Sequence, residues 1–202
     1  MTLVKYCGMT READVERACE IGVDALGFVL WPGSPRAVSA ARAASLARLL
    51  PSQALPVAVF VSPEPGDVSR AADAGLRVAQ IHGDARPEAL AAAADAGMDV
   101  WLACSLQTLG ATPTERTVVL DAHDPVRHGG TGRTIDWQAA AAVARGRRVV
   151  LAGGLTAQNV ADAIRVVRPH GVDVASGIED GPGTKNHEAM AAFMASVREA
   201  DR

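Results

Sequence analysis

Three features of the sequence predict an α/β fold of the single (β/α)8 TIM-barrel class. Apolar runs alternate with Ala/Leu-rich helical patterns along the whole chain, giving eight units in β-then-α order. Short glycine-led joints recur between a helical pattern and the next strand, at Gly22-Val23-Asp24, Gly97-Met98-Asp99 and Gly171-Val172-Asp173. In each, the glycine is placed to end the helix in a left-handed cap, and the apolar residue after it starts the strand. The last two apolar runs end in small residues, Gly153-Gly154 and Ser176-Gly177, whose backbone N–H groups can approach a ligand closely. In a parallel barrel the loops after the last two strands are the usual seat of a phosphate.

Taken in order, strands are expected near 3–7, 25–30, 56–61, 77–82, 99–104, 117–121, 148–152 and 172–176. Helices are expected near 12–21, 39–50, 64–74, 86–96, 136–144, 156–168 and 187–200. The fifth crossover helix is short or missing, because residues 105–116 are too few for a helix and two turns and include Pro113 and several threonines. Eight nearly equal units with no reversal of strand order favour a closed barrel over a doubly wound open sheet. At 202 residues the chain is near the lower end of the range of about 200 to 250 for such barrels and forms one domain, 1–202.

The totals exclude several kinds of function. A net charge of −3 gives no electrostatic case for nucleic acid or an anionic membrane, so a phosphorylated ligand must be captured by local groups. Cys7, Cys19 and Cys104 are odd in number and widely spaced, with no CxxC pair for zinc or a disulfide framework. The five histidines are scattered without ligand spacing, so no metal site is expected. Met1-Thr2-Leu3-Val4-Lys5 does not read as a targeting signal, and no apolar run reaches the length of a membrane span; a cytoplasmic location is expected.

Residues with chemistry cluster just after strands, on the expected catalytic face. Cys7 ends the first strand beside Gly8. As a lone cysteine it is either a small apolar core residue or a base. Asp121 ends the sixth strand and is followed by a glycine-rich stretch instead of a helix start, which weakens a purely capping role. Arg36 follows Ser34-Pro35 and can hold a carboxylate in a planar two-bond fork, or face solvent ahead of the next helix. Gln80 and His82 share one face of the fourth strand by the two-residue period. His82 and Asp173 read equally as satisfied barrel-end residues or as substrate contacts. Gly129-Gly130-Thr131-Gly132 lacks the Lys-Ser/Thr ending of a P-loop and is expected to be an active-site lid; Asp124 is expected to be solvated.

Together these segments resemble the phosphoribosylanthranilate isomerase family over nearly the whole chain. The marks are Lys-Tyr-Cys-Gly-Met-Thr at 5–10, Gly-Phe-Val-Leu at 27–30 with Ser-Pro-Arg at 34–36, Val-Ala-Val-Phe-Val at 57–61, Gln-Ile-His-Gly-Asp at 80–84, Leu-Asp at 120–121 with Gly-Gly-Thr-Gly at 129–132, Gly-Gly-Leu at 153–155, and Asp-Val-Ala-Ser-Gly-Ile-Glu at 173–179. Each alone is unspecific; their shared order carries the resemblance. The chain departs from the family at Gly33, where the pattern often has Lys. The resemblance implies an Amadori rearrangement of N-(5-phosphoribosyl)anthranilate with no metal or coenzyme. It implies Cys7 as base, Asp121 as acid and Arg36 as partner of the anthranilate carboxylate. Gln80, His82 and Asp173 are the further candidate substrate contacts. Gly153, Gly154, Ser176 and Gly177 would hold the phosphate, helped by a helix N-terminus after strand eight. A side chain at Gly177 is expected to project into the ligand. The partner is a small phosphosugar, and the chain is a monomer or homodimer.

Two other readings compete. A lyase or synthase of the indole-glycerol phosphate type would carry Lys and Glu at strand ends, but Lys5 precedes Cys7 and no Glu ends strands two to seven. A non-catalytic phosphosugar-binding protein would keep the glycine loops and lose the acid and base, yet Cys7 and Asp121 are both present.

Overall fold

The computed structural model describes residues 1–121 and 135–202. Eight parallel strands close into a barrel in sequential order: β1 (Leu3–Cys7), β2 (Ala25–Val29), β3 (Leu55–Val61), β4 (Val78–His82), β5 (Asp99–Cys104), β6 (Thr117–Leu120), β7 (Val149–Leu151) and β8 (Gly171–Val174). The ring closes where β1 pairs with β8, with Lys5 opposite Asp173. Around it run α1 (Glu12–Ile21), α2 (Ala40–Ala47), α3 (Pro65–Asp73), α4 (Pro87–Asp95), α5 (Trp137–Ala144), α6 (Val160–Val167) and α7 (His187–Ala200).

The two-residue period of the strands sorts side chains into two cores. Inward residues such as Val57, Val59, Trp101, Val119 and Val150 fill the barrel. Outward ones such as Tyr6, Phe28, Phe60, Ile81 and Leu120 pack under the helices. Tyr6 shows how a polar atom survives there: its hydroxyl donates to the Met190 carbonyl at 2.7 Å, and its ring meets Phe193 edge-on at 6.1 Å. Fully burying one such Val, Leu or Phe contributes about 1.5–3 kcal/mol, so the outer layer dominates the stability.

Between β5 and β6 only a 3-10 turn, Leu109–Ala111, replaces the missing helix. Arg147 closes the gap from the end of the next unit, donating to Thr112 Oγ1 at 3.0 Å and to the carbonyls of Pro113 at 2.6 Å and Arg116 at 3.1 Å. One planar guanidinium thus satisfies backbone acceptors that a helix would have paired internally.

The joints differ from expectation at one place. Gly22 (φ 81°) and Gly97 (φ 68°) do end their helices left-handed, as does Gly75 (φ 84°). Gly171 does not: it is the first residue of β8, and the left-handed cap of α6 falls on Arg168 (φ 49°), because Pro169 behind it cannot extend the helix. Several element boundaries also shift, two of them beside the loops after β7 and β8. The helix expected from 156 begins at Val160, its lead-in held by Asn159, which accepts from the Thr156 amide at 2.8 Å and donates to the Gly154 carbonyl at 2.9 Å. The strand expected to reach 176 stops at Val174. A 3-10 turn (Ser176–Ile178) follows, then a hairpin of β9 (Glu179–Gly181) and β10 (Thr184–Lys185) turning at Pro182-Gly183. The stretch Gly129-Gly130-Thr131-Gly132 and Asp124 lie outside the described residues. Among the described residues no helix is long and apolar enough to cross a membrane.

Candidate active site

At the C-terminal mouth of the barrel a cavity of about 360 Å³ brings together all ten residues singled out from the sequence: Cys7, Arg36, Gln80, His82, Asp121, Gly153, Gly154, Asp173, Ser176 and Gly177. They come from six of the eight strand ends, so the closed barrel is what assembles them. Cys7 ends β1 and Asp121 is the first residue past β6, its amide donating to the Cys104 carbonyl at 3.0 Å. Going round the ring, β7 and β8 separate these two strands on one side. A thiol and a carboxyl group therefore enter the cavity from well-separated parts of its rim.

The thiol is held in a charged cluster. Lys5, wholly buried two residues earlier on the same strand face, donates to both carboxylate oxygens of Asp173 at 2.9 Å. Burial pushes the Cys7 thiol up from its ordinary value; the Lys5 ammonium pulls it back down, and Asp173 pushes it up again. The helix N-terminus expected after strand eight is instead a three-residue 3-10 turn, and the groups that lower the thiol are the side-chain cations Lys5 and Lys185. Lys5 itself keeps its proton: burial alone would lower it, but Asp173 and the thiol raise it above the ordinary value.

Arg36 is already engaged. Its Nε and Nη2 form a fork on the Glu179 carboxylate at 2.9 and 2.6 Å. Glu179 also takes the Lys185 ammonium at 2.8 Å, and that ammonium donates to the carbonyls of Cys7 at 2.6 Å and Ala175 at 3.2 Å. The hairpin thus turns back under the cavity and braces the backbone of the proposed base. Burial would raise Glu179, but Arg36 and Lys185 outweigh it and hold the carboxyl below its ordinary value.

On the same loop, Trp31 lines the cavity and lies across Gly33. A Cβ at Gly33 would stand 2.7 and 2.8 Å from Cη2 and Cε2 of the indole, closer than carbon atoms pack. The departure from Lys at this position therefore has a physical reason: the indole takes the space of a side chain.

At the end of β4, Gln80 Nε2 and His82 Nε2 are 2.9 Å apart, while the buried Gln80 Oε1 has no hydrogen-bond partner among the described residues. An orphaned acceptor costs about 1–3 kcal/mol, and at a cavity wall it is placed to receive a ligand hydroxyl. Gly153 (φ 84°) and Gly154 (φ 64°) are successive left-handed residues that turn the backbone at the end of the β7 unit. Gly177 corrects an expectation. A side chain there would not project into the ligand but would strike the Leu155 carbonyl, with Val174 Cγ2 at 3.2 Å. The two glycine loops are packed directly against each other.

Sequence reasoning missed Lys5 as a neighbour of the thiol, although the two-residue period from Cys7 points to it. It also missed Glu179 and Lys185, because nothing local in Glu-Asp-Gly-Pro-Gly-Thr-Lys says that the hairpin folds back under β1. Among the described residues no group of three or more His, Cys, Asp or Glu could hold a metal ion.

Known proteins share both the sequence pattern and the barrel fold. Residues 4–196 match the family model described as N-(5'phosphoribosyl)anthranilate (PRA) isomerase. An N-(5'-phosphoribosyl)anthranilate isomerase of Pelobacter propionicus is 41% identical over 202 residues, covering 98% of this chain and 97% of that protein. The crystal structure of phosphoribosyl anthranilate isomerase from Thermotoga maritima superposes with a TM-score of 0.89 at 35% identity, covering 98% of this chain and 100% of that one. A second solved isomerase, in complex with reduced 1-(o-carboxyphenylamino)-1-deoxyribulose 5-phosphate, superposes with a TM-score of 0.85 at 33% identity, covering 98% of this chain and 100% of that one.

Proposed function

The chain belongs to the N-(5'-phosphoribosyl)anthranilate isomerase family, and on that premise we propose that Cys7 and Asp121 divide its chemistry as base and acid. The enzyme converts N-(5'-phosphoribosyl)anthranilate to 1-(2-carboxyphenylamino)-1-deoxyribulose 5-phosphate in tryptophan biosynthesis. The observation that carries the assignment of roles is the meeting of one thiol, one carboxyl group and two glycine-rich strand ends in a single cavity.

Asp121 gives a proton to the ring oxygen of the ribose. The C1–O bond breaks, and the lone pair of the arylamine nitrogen forms a C1=N iminium. The Cys7 thiolate then takes the proton from C2. The C2–H electrons become a C1=C2 bond while the C1=N electrons return to nitrogen, giving an enol-amine. Loss of the C2 hydroxyl proton and protonation at C1 complete the ketose. The thiolate forms in a charged cluster, where burial opposes it and the Lys5 ammonium favours it.

The remaining contacts position the substrate. Gly153, Gly154, Ser176 and Gly177 form a phosphate cradle of backbone donors at the β7 and β8 ends. Arg36 takes the anthranilate carboxylate alongside Glu179. The orphaned Gln80 Oε1 accepts a ribose hydroxyl, with His82 beside it. Asp173 acts by holding Lys5.

Conversion of freshly prepared phosphoribosylanthranilate by Asp121→Asn, beside the unaltered enzyme, tests the acid. Losing one general acid typically costs about 10²–10⁴-fold. The expected result is a kcat loss in that range with product affinity within a few fold; near-normal kcat would remove Asp121 from the chemistry.

A further inference from the structure

A buried thiol makes a poor base unless something stabilises its anion, and the proposed base sits in such a place. We propose that Lys5 is a positioning residue of the reaction, whose ammonium, clamped by Asp173, holds the Cys7 thiolate in place for proton abstraction. This rests on the reading of Cys7 as base.

The geometry that carries it begins on β1. Lys5 and Cys7 stand two residues apart, so both project into the barrel. Opposite them on β2 is Gly27, paired with Cys7 in the sheet. A Cβ on Gly27 would stand 2.9 Å from Cys7 Sγ and 3.0 Å from Lys5 Nζ. The sulfur and the ammonium therefore share one hollow, which exists because that strand position has no side chain. An ammonium has three donors. Asp173 accepts two of the Lys5 bonds, at 2.9 Å each, and among the described residues no third acceptor takes the remaining proton of Nζ. A fully buried lysine is costly to keep charged, and Asp173 alone, beside it in the β1–β8 pair, compensates only its charge.

Charge counting around the thiol points the same way. The groups that face it are Lys5 on β1, Asp173 on β8, Lys185 on β10, Arg36 after β2 and Glu179 on β9, with His82 and Asp121 further across the cavity. Of the five nearer groups, Lys5, Lys185 and Arg36 are cationic and only Asp173 and Glu179 anionic. In the free protein one positive charge is left over, which favours the thiolate against the burial that opposes it. Lys5 acts directly on the sulfur, whereas Lys185 is occupied with Glu179 and two carbonyl groups.

The test reads the thiol itself as well as turnover. In a Cys19→Ser, Cys104→Ala background, the rate of Cys7 alkylation by iodoacetamide is followed against pH. Lys5→Met should move the profile to higher pH, slowing alkylation at pH 7 by about tenfold or more, which corresponds to one unit of thiol acidity. Asp173→Asn should move it the opposite way, since it removes an anion and leaves the cation. The limb of the kcat/KM profile that rises with pH as Cys7 loses its proton should shift in the same sense as alkylation, with product affinity within a few fold. If Lys5→Met fails to fold because Asp173 is left unpaired, the Lys5→Met, Asp173→Asn pair replaces it. The profile should then still lie at higher pH, because the cation outweighs the carboxylate at the sulfur. An unshifted alkylation profile, shifts of one sign in both single variants, or a shifted thiol with an unshifted kcat/KM profile would each overturn the inference. The failure of Cys7 as base is a separate result: it would show as turnover that survives Cys7→Ala whatever the alkylation profiles do.

Discussion

The carboxylate of Glu179 sits in the guanidinium fork of Arg36, with Nε–Oε1 at 2.9 Å and Nη2–Oε2 at 2.6 Å. The side chain of Glu179 is only 3% exposed, and Lys185, which also pairs with it, is wholly buried. The residue proposed to receive the substrate's carboxylate is thus fixed beforehand by a carboxylate of the protein. Such pre-orientation cuts the side-chain entropy lost on binding. It also ties substrate recognition to the hairpin that braces Cys7.

Replacing Arg36 by Met therefore has two effects. It removes the proposed charge-assisted partner of the substrate, an expected loss of about 1.5–3 kcal/mol in binding, and it leaves Glu179 with Lys185 and the Gly183 amide. Binding of the product and of an analogue without the ring carboxylate should be measured on both proteins. The mutant should lose its preference for the carboxylated ligand. Equal discrimination by mutant and parent would take Arg36 out of carboxylate recognition.

Acid should loosen this network. Glu179, Asp14 and Asp201 all have folded-state values held below the ordinary carboxylate range, despite burial, by Arg36 and Lys185, by Arg11 and His187, and by Thr2 respectively. A depressed carboxyl contributes stability that is complete above its unfolded value and is lost as pH falls through the folded one. Denaturant unfolding at pH 6, 5, 4 and 3 should show stability falling mainly below about pH 4.3, the ordinary glutamate value. Glu179→Gln should be less stable at pH 6 and show a shallower fall. An equal slope in that variant would mean that Glu179 is not part of the acid response.

Gly177 separates folding from phosphate binding. Since a Cβ there would collide with the Leu155 carbonyl, Gly177→Ala should lower the melting temperature by several degrees as well as raise KM. The neighbouring Ser176 is exposed, so Ser176→Val should change KM with little effect on melting. A Gly177→Ala protein that melts like the parent would mean that the loops are less tightly packed than described.

Gly33 offers a probe of the cavity rim. Gly33→Lys places the residue common in the family where the indole of Trp31 now lies, and the ring must move. Fluorescence of Trp31 in a Trp101→Phe, Trp137→Phe background should shift on this change, and KM should rise. Restoring space with Trp31→Ala in the same protein should bring KM part of the way back. An unchanged emission spectrum would show that the ring does not depend on Gly33.

Much of this was legible in the sequence because it rests on local rules. Alternation located the eight strands, the short span between β5 and β6 revealed the missing helix, and strand ends followed by glycine singled out the cavity residues. What was not legible depended on contacts across the closed ring. Asp173 reads as an isolated carboxylate until β8 closes on β1 and brings Lys5 opposite it. Gly171 resembles a helix cap until Arg168 is seen to hold that conformation. Gly177 looks like ligand space until the Leu155 carbonyl is placed against it.

The central claim is that the thiol at the end of β1 removes the C2 proton. Single-turnover conversion of phosphoribosylanthranilate by Cys7→Ala, beside the parent enzyme and with product binding measured separately, tests it most directly. The account predicts that chemistry in the mutant falls by about 10²–10⁴-fold while product binds within a few fold of normal. Near-normal single-turnover conversion with intact binding would contradict it and leave Cys7 as a packing residue.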